Sequence, residues 1–264
     1  MIQWYHHYLQ HPGANMLEEP IVAVMWWPGM RSHIRKYVKT CDRCQLAKRH
    51  KQKYGLLPPK IATTIPWKQI CVDLIGPYTV KAKDGTILDF MCLTMINPAT
   101  SWFKIVELPN INVTYICKGK EIVEVLIDKS SACVACLFNK SWLSRYPRSH
   151  SVIYDNGSEF KLFFEDLCKS YSLKRKPTTI KNPQANAILE RVHAVITDMS
   201  RTSSLDMQDT CTPEMVDKLI TNVGWAIRST YHTVFGSTPG AAIFERDMLF
   251  DIQRIAAWSK IGKR

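Results

Sequence analysis

The sequence predicts an α/β fold built on a mixed sheet, with a small helical module rich in histidine and cysteine ahead of it. Three observations predict this. Residues 1–47 gather histidines, tryptophans and a Cys-x2-Cys pair in a stretch too short to build a good core of its own. After Pro66, three short apolar segments read as successive strands: Gln69–Leu74, Leu88–Ile96 and Phe103–Leu108, each rich in β-branched or aromatic residues. Beyond them the character alternates. Glu121–Phe138 reads as a helix, Ser151–Tyr154 as a strand ending on Asp155, and Glu159–Tyr171, Pro183–Thr202 and Pro213–Tyr231 as helices. Strands in succession, followed by alternation, suit an α/β domain with a mixed sheet.

The 264 residues suit a small domain plus a medium one, and a hydrophobic content of 46% is enough for a real core. The formal net charge of +12 points to a polyanionic partner, of which nucleic acid is the commonest. No apolar run approaches the roughly 18–20 residues of a membrane span. No secretory pattern opens the chain, since Trp4, Tyr5 and two histidines interrupt it. An intracellular protein is expected, its nine cysteines being thiols or metal ligands rather than disulfides. Between Arg31 and Lys60 there are ten Lys/Arg against one acid, Asp42, and the part from Lys48 to Pro59 reads as a basic linker.

Within the first module, His6, His7 and His11 precede Pro12-Gly13, and Cys41-Asp42-Arg43-Cys44 follows, with 29 residues between His11 and Cys41. Two imidazoles and a Cys-x2-Cys make the tetrahedral nitrogen/sulfur set that structural zinc prefers. The histidine pair is open at this point: His7 and His11 share a helix face, whereas His6 and His11 need a less regular helix. A second Cys-x2-Cys, Cys133 to Cys136, has no neighbouring histidines and reads as core packing, as do Cys71 and Cys92.

Three acids stand out. Asp73 follows Ile70-Cys71-Val72 at a strand that turns sharply before Gly76-Pro77, and Asp155 ends a strand before Asn156-Gly157. A carboxylate at the end of a buried strand needs a counter-charge, and a metal ion is a natural one. Glu190, on the helix through 183–202, falls about 160° from the centre of that helix's apolar face. Converging carboxylates of this kind hold two divalent ions, Mg²⁺ or Mn²⁺, for in-line displacement at phosphorus. Lys174, Arg175, Lys176, Lys181, Asn182 and Arg191 flank the third acid and are candidates to track a phosphate backbone.

In this order, these residues resemble the integrase of gypsy-type long-terminal-repeat retrotransposons, related to retroviral integrases. The matching stretches are Trp4-Tyr5-His6 with His11-Pro12-Gly13, Trp27-Pro28-Gly29-Met30 and Cys41-Asp42-Arg43-Cys44-Gln45. They continue through Val72-Asp73-Leu74-Ile75-Gly76-Pro77, Asp155-Asn156-Gly157-Ser158-Glu159-Phe160 and Asn182-Pro183-Gln184-Ala185-Asn186 with Glu190-Arg191. A later stretch from Tyr231-His232 through Thr238-Pro239 to Phe244 is also similar, so the resemblance covers residues 4–250.

The resemblance implies a zinc-binding domain over 1–47, a linker over 48–66 and an RNase H-like catalytic core over 67–250 with a five-stranded sheet. It leaves 251–264 as a tail with no recognised module, where the family usually carries a further DNA- or chromatin-binding one in a longer polyprotein. It implies zinc on His6, His11, Cys41 and Cys44, and magnesium on a catalytic triad of Asp73, Asp155 and Glu190. Family members trim the ends of their element's DNA and join them to target DNA, as multimers, in the nucleus; a homo-oligomer on double-stranded DNA, with no membrane, is therefore expected. A silent DNA-binding relic and a related transposase or nuclease are the other readings of the same residues. Three departures are visible. Asp155 and Glu190 are separated by 34 residues, one fewer than is common; Asp73 and Asp155 lie 82 positions apart, pointing to an insertion around 109–130; and position 187 is Ala where Gly is frequent.

Overall fold

Alternation along the first strand decides the layers. In the computed structural model, which describes residues 1–47, 65–81, 87–117, 120–178, 187–204, 212–232 and 236–249, β1 runs from Gln69 to Lys81. Ile70 and Val72 are buried on one face of the sheet, while Cys71 and Ile75 are buried on the other. A side-chain period of two produces this split without any change in residue type. β2 (Ile87–Ile96) has an unbroken buried run from Phe90 to Ile96, the mark of a strand covered on both sides.

With β3 (Phe103–Glu107), β6 (Ser151–Tyr154) and β7 (Lys174–Pro177), these strands form a five-stranded mixed sheet in the order β3-β2-β1-β6-β7. β1–β2 and β2–β3 are antiparallel, and β1–β6 and β6–β7 are parallel. One face is covered by α5 (Ser131–Phe138), its π-helical continuation Asn139–Leu143, and α6 (Phe163–Ser170), through Val134, Phe138, Trp142, Phe164 and Cys168. The other is covered by α7 (Ala187–Ser204) and α8 (Pro213–Ser229), through Leu189, Ile196, Met199, Leu219 and Val223. α9 (Pro239–Phe244) packs on α8.

The structure departs from the sequence expectations in four places. The segment expected to be helical from Glu121 is a strand, β5 (Lys120–Ile127), paired antiparallel with β4 (Asn110–Cys117). Ile122, Val123, Val125 and Ile127 are stiff at χ1 and favour a pleated surface, so the helix begins only at Ser131. There the Ser130 hydroxyl caps it by accepting from the Cys133 N–H at 3.2 Å. This hairpin occupies the segment near 109–130 where an insertion was expected. Second, β1 does not end at Gly76-Pro77 but passes through an irregularity between Ile75 and Tyr78 and continues to Lys81. Gly76 sits there at φ +112, and a Cβ on it would come 3.0 Å from the Phe90 carbonyl oxygen. Third, Cys133 is half-buried and Cys136 exposed, because Val134, Ala135 and Phe138 take the inward positions; Cys71 and Cys92 are buried. Fourth, the helix expected over Glu159–Tyr171 is broken at Leu162, which has φ +47, between a 3-10 turn at Ser158–Phe160 and α6.

Candidate functional site

The N-terminal module is held by a small core of Tyr5, Leu9, Leu17, Ile21, Met30 and Ile34, drawn from the first three of its four helices and the turn after α1: α1 (Ile2–Tyr8), α2 (Ala14–Val22), α3 (Met30–Lys39) and α4 (Asp42–Ala47). Buried Glu18 on α2 is clasped from α3 by Arg31 at 2.6 Å and Arg35 at 3.8 Å. The histidine pairing follows from how α1 ends. Gln10 and His11 take left-handed conformations, φ +56 and +60, which swing the His11 ring back to within 4.6 Å of the His6 ring. His7 instead faces the Tyr37 hydroxyl at 3.5 Å.

The structure thus brings His6, His11, Cys41 and Cys44 together, with their ligand atoms all within 4.8 Å of one another. Cys44 Sγ lies 3.3 Å from His6 Nε2 and 3.6 Å from His11 Nδ1, and Cys41 Sγ lies 3.4 Å from His11 Nδ1. A tetrahedron with bonds of about 2.0–2.1 Å to nitrogen and about 2.3 Å to sulfur has nitrogen–sulfur edges of roughly 3.5 Å. Donor types, number and spacing all fit a zinc ion, with His6 rather than His7 as the first ligand.

The second cluster is built by strand register. Gln69, Ile70 and Cys71 of β1 pair in parallel with Ser151, Val152 and Ile153 of β6. Carried two positions beyond the last paired residues, this register sets Asp73 of β1 beside Asp155, which directly follows β6, and by the same parity as Cys71 Asp73 faces the α7 layer. Asp73 Oδ1 accepts from the Leu74 N–H at 2.9 Å, and Asp155 Oδ1 accepts from the Gly157 N–H at 3.0 Å, which fixes the turn after β6. Glu190 is exposed in the first turn of α7.

Burial, and then the neighbouring charge of Asp155, push the Asp73 carboxyl up to about 7, with Glu159 and Glu190 adding in the same direction. Four carboxyl groups therefore share one field, and hard oxygen donors crowded in this way fit a divalent cation. Among the described residues these acids do not form a ligand group as tight as the histidine–cysteine one.

Sequence reasoning quoted Glu159 without giving it a role and missed His193 and Thr94. His193 Nδ1 is 3.9 Å from Asp73 Oδ2, and its Nε2 is 2.8 Å from Thr94 Oγ1. The Thr94 hydroxyl donates to the Asp73 carbonyl oxygen at 2.9 Å, so it accepts from the His193 Nε2–H. The ring then presents the Nδ1 lone pair to Asp73, and burial pulls its pKa down to about 4, keeping it neutral. The available signal was position: His193 follows Glu190 by three residues and shares its side of the helix.

Of the basic candidates, Lys174, Arg175 and Lys176 lie on β7, the exposed edge strand of the sheet. Arg175 is engaged by Glu165 at 2.8 Å. Arg191 is exposed on α7, and Lys181 and Asn182 lie outside the described residues, as do most of the linker and the tail.

A family model described as the integrase zinc binding domain matches residues 1–50. The chain is 23% identical over 239 residues to an uncharacterised protein of Caenorhabditis elegans, covering 89% of this chain and 16% of that protein. It is 37% identical over 68 residues to the transposon Tf2-3 polyprotein of Schizosaccharomyces pombe, covering 25% of this chain and 5% of the polyprotein. The chain thus spans a small part of the curated relatives it matches. Its fold resembles a chain of the simian T-cell lymphotropic virus intasome in complex with PP2A regulatory subunit B56 gamma, with a TM-score of 0.50 at 13% identity over 91% of this chain and 73% of that one.

Proposed function

We propose that this chain, similar to integrase zinc-binding domains and to retrotransposon polyproteins, is a retrotransposon integrase that carries out divalent-metal-dependent 3′-end processing and strand transfer on DNA. Asp73, Asp155 and Glu190 act as the catalytic carboxylates. The observation that carries the reading is the placement of Asp155 beside Asp73, with the fields of Glu190 and Glu159 converging on Asp73.

Bound there, one or two Mg²⁺ or Mn²⁺ ions supply charge neutralisation at the scissile phosphate. The chain's own residues do the rest. Asp73, on β1, and Asp155, directly after the neighbouring β6, offer oxygens whose spacing follows the sheet. Glu190 offers a third from the start of α7, where nearby small residues leave room for DNA. Thr94 holds the Asp73 backbone in place and is itself held by His193. A positioned water cuts the end, and the freed 3′ hydroxyl then attacks the target phosphate in line, with no covalent enzyme intermediate. Lys174, Lys176 and Arg191, with Lys181 and Asn182, follow the backbone electrostatically. The histidine–cysteine module, locked by zinc, docks further DNA, and a second copy of the chain serves the second DNA end.

A strand-transfer assay on short duplex DNA tests this, with zinc-loaded protein in Mg²⁺ or Mn²⁺ and Asp155→Asn as control. Metal-dependent joining that disappears in the variant is the expected outcome. Salt-sensitive DNA binding with no cleavage or joining, in this chain and in a longer one carrying a C-terminal module, would sink it in favour of a binding relic.

A further inference from the structure

A cleft of about 280 Å³ opens along the outer edge of β3, two strands away from β1, and the proposed DNA chemistry makes no use of it. Its charged lining is Lys104 and Glu107 from β3, Lys140 and Arg145 from the end of the α5 layer, and Asp217 and Arg228 from α8. We propose that this cleft binds a small polyanion of the phosphate class, such as a di- or triphosphate group.

Charge count comes first: four cations face two acids. The two acids are set against each other, since burial and then the nearby Asp217 raise the pKa of Glu107. The cations are likewise set against one another. Burial, then Arg228 and Arg145, push the Lys104 ammonium down. Among the described residues no ion pair joins Lys104, Lys140, Arg145 or Arg228 to a carboxylate. An anion between them would remove the repulsion that the protein leaves in place.

Backbone geometry adds donors. The bonds from Asn97 N–H to Trp102 O and from Leu108 N–H to Met91 O bracket the β2–β3 ladder. The even-numbered positions of β3 therefore bond to β2, and the N–H and C=O groups of Phe103, Ile105 and Glu107 point to the open edge. The Phe103 carbonyl is already met by Arg228 Nη1 at 3.3 Å, as this parity requires. Ile105, in the cleft wall, presents its N–H at the same edge.

Arg228 is preorganised. Its guanidinium lies 5.4 Å from the centre of the Trp102 ring and packs close to Gly224, where a Cβ would come 3.6 Å from Nη1. A planar fork fixed in this way loses little freedom on meeting phosphate oxygens.

Size selects the ligand. The cleft falls just under the roughly 300–1,000 Å³ of small-molecule sites. It admits a short phosphate chain but not a duplex, whose major groove alone is about 12 Å wide.

The test is titration calorimetry of zinc-loaded protein with inorganic triphosphate, without added divalent ion, so that the carboxylate cluster takes no part. Lys140→Gln with Arg145→Gln removes two exposed cations and should leave circular dichroism unchanged. One-site binding is expected, weakened roughly tenfold or more in the double variant and tightened by Asp217→Asn. No binding at about millimolar triphosphate, the weak end of the useful affinity scale, would overturn the proposal. So would binding that survives the double variant, or displacement of triphosphate by duplex DNA as effectively as by free triphosphate.

Discussion

Replacing Asp73 with Asn should stabilise the metal-free protein at neutral pH and above. The wild-type carboxyl titrates at about 7 in the folded chain against 3.8 unperturbed, a difference of about 3 units. At about 1.36 kcal/mol per unit, ionising it in place costs the fold about 4 kcal/mol. With its side chain 18% exposed, solvent screening removes little of this. The sign follows from proton counting. Below pH 3.8 both folded and unfolded chains hold the proton, and the cost is absent. Between 3.8 and about 7 only the folded chain holds it, so stability falls as pH rises, and above about 7 the full cost is present. The Asp73→Asn variant lacks this slope, and its amide can donate to His193 Nδ1 as the protonated carboxyl would. For a domain of this size, about 4 kcal/mol corresponds to a Tm difference of roughly 8–16 °C. Thermal melts of both proteins across about pH 5 to 8, without divalent ion, read this directly. The gap should open with rising pH, and Mg²⁺ or Mn²⁺ should close it by stabilising only the wild type. A variant less stable than wild type at high pH, or a gap independent of pH, would refute the view that the carboxylates crowd one another at a cost to the fold.

Two further outcomes follow from the same geometry. Thr94→Val keeps the side chain's shape but removes the hydroxyl that the Asp73 carbonyl and the His193 Nε2–H both use; a loss of about 1–3 kcal/mol is expected in urea denaturation, together with slower strand transfer. Cys44→Ser, or zinc chelation, should unfold α1–α4, because six buried side chains cannot hold the module without its metal; far-UV circular dichroism should lose helix while the melting of the sheet domain stays in place.

How much of this was legible in the sequence depends on the range of each interaction. Ser151–Tyr154 was read residue for residue, because a short apolar run ending on an acid and an Asn-Gly turn is a local signal. The five-stranded sheet followed from the order of segments and the family resemblance. The β4–β5 hairpin did not, since Glu121 and Glu124 let Ile122, Val123 and Val125 pass for one helical face, and the competing β-branched preference shows only once Asn110–Cys117 supplies a partner. His6 against His7 was undecidable from spacing alone, since the answer lies in positive φ angles at Gln10 and His11, non-glycine residues that carry no signature for them.

The candidate active site divides in the same way. Asp73, Asp155 and Glu190 could be singled out one by one, but what makes them a cluster is register and parity between β1 and β6. Thr94 and His193 are 99 positions apart in the chain and meet only because β2 and α7 lie on the same strand, β1, from two directions. Thr94 carries the consequence: a fully buried hydroxyl within the otherwise apolar buried run of β2 is costly unless both its donor and its acceptor are used. Both are used here, on the backbone of the residue whose carboxylate the proposed chemistry most needs and on the His193 ring beside it. A polar residue within the unbroken buried run of β2 is thus better explained by the site it supports than by the fold it sits in.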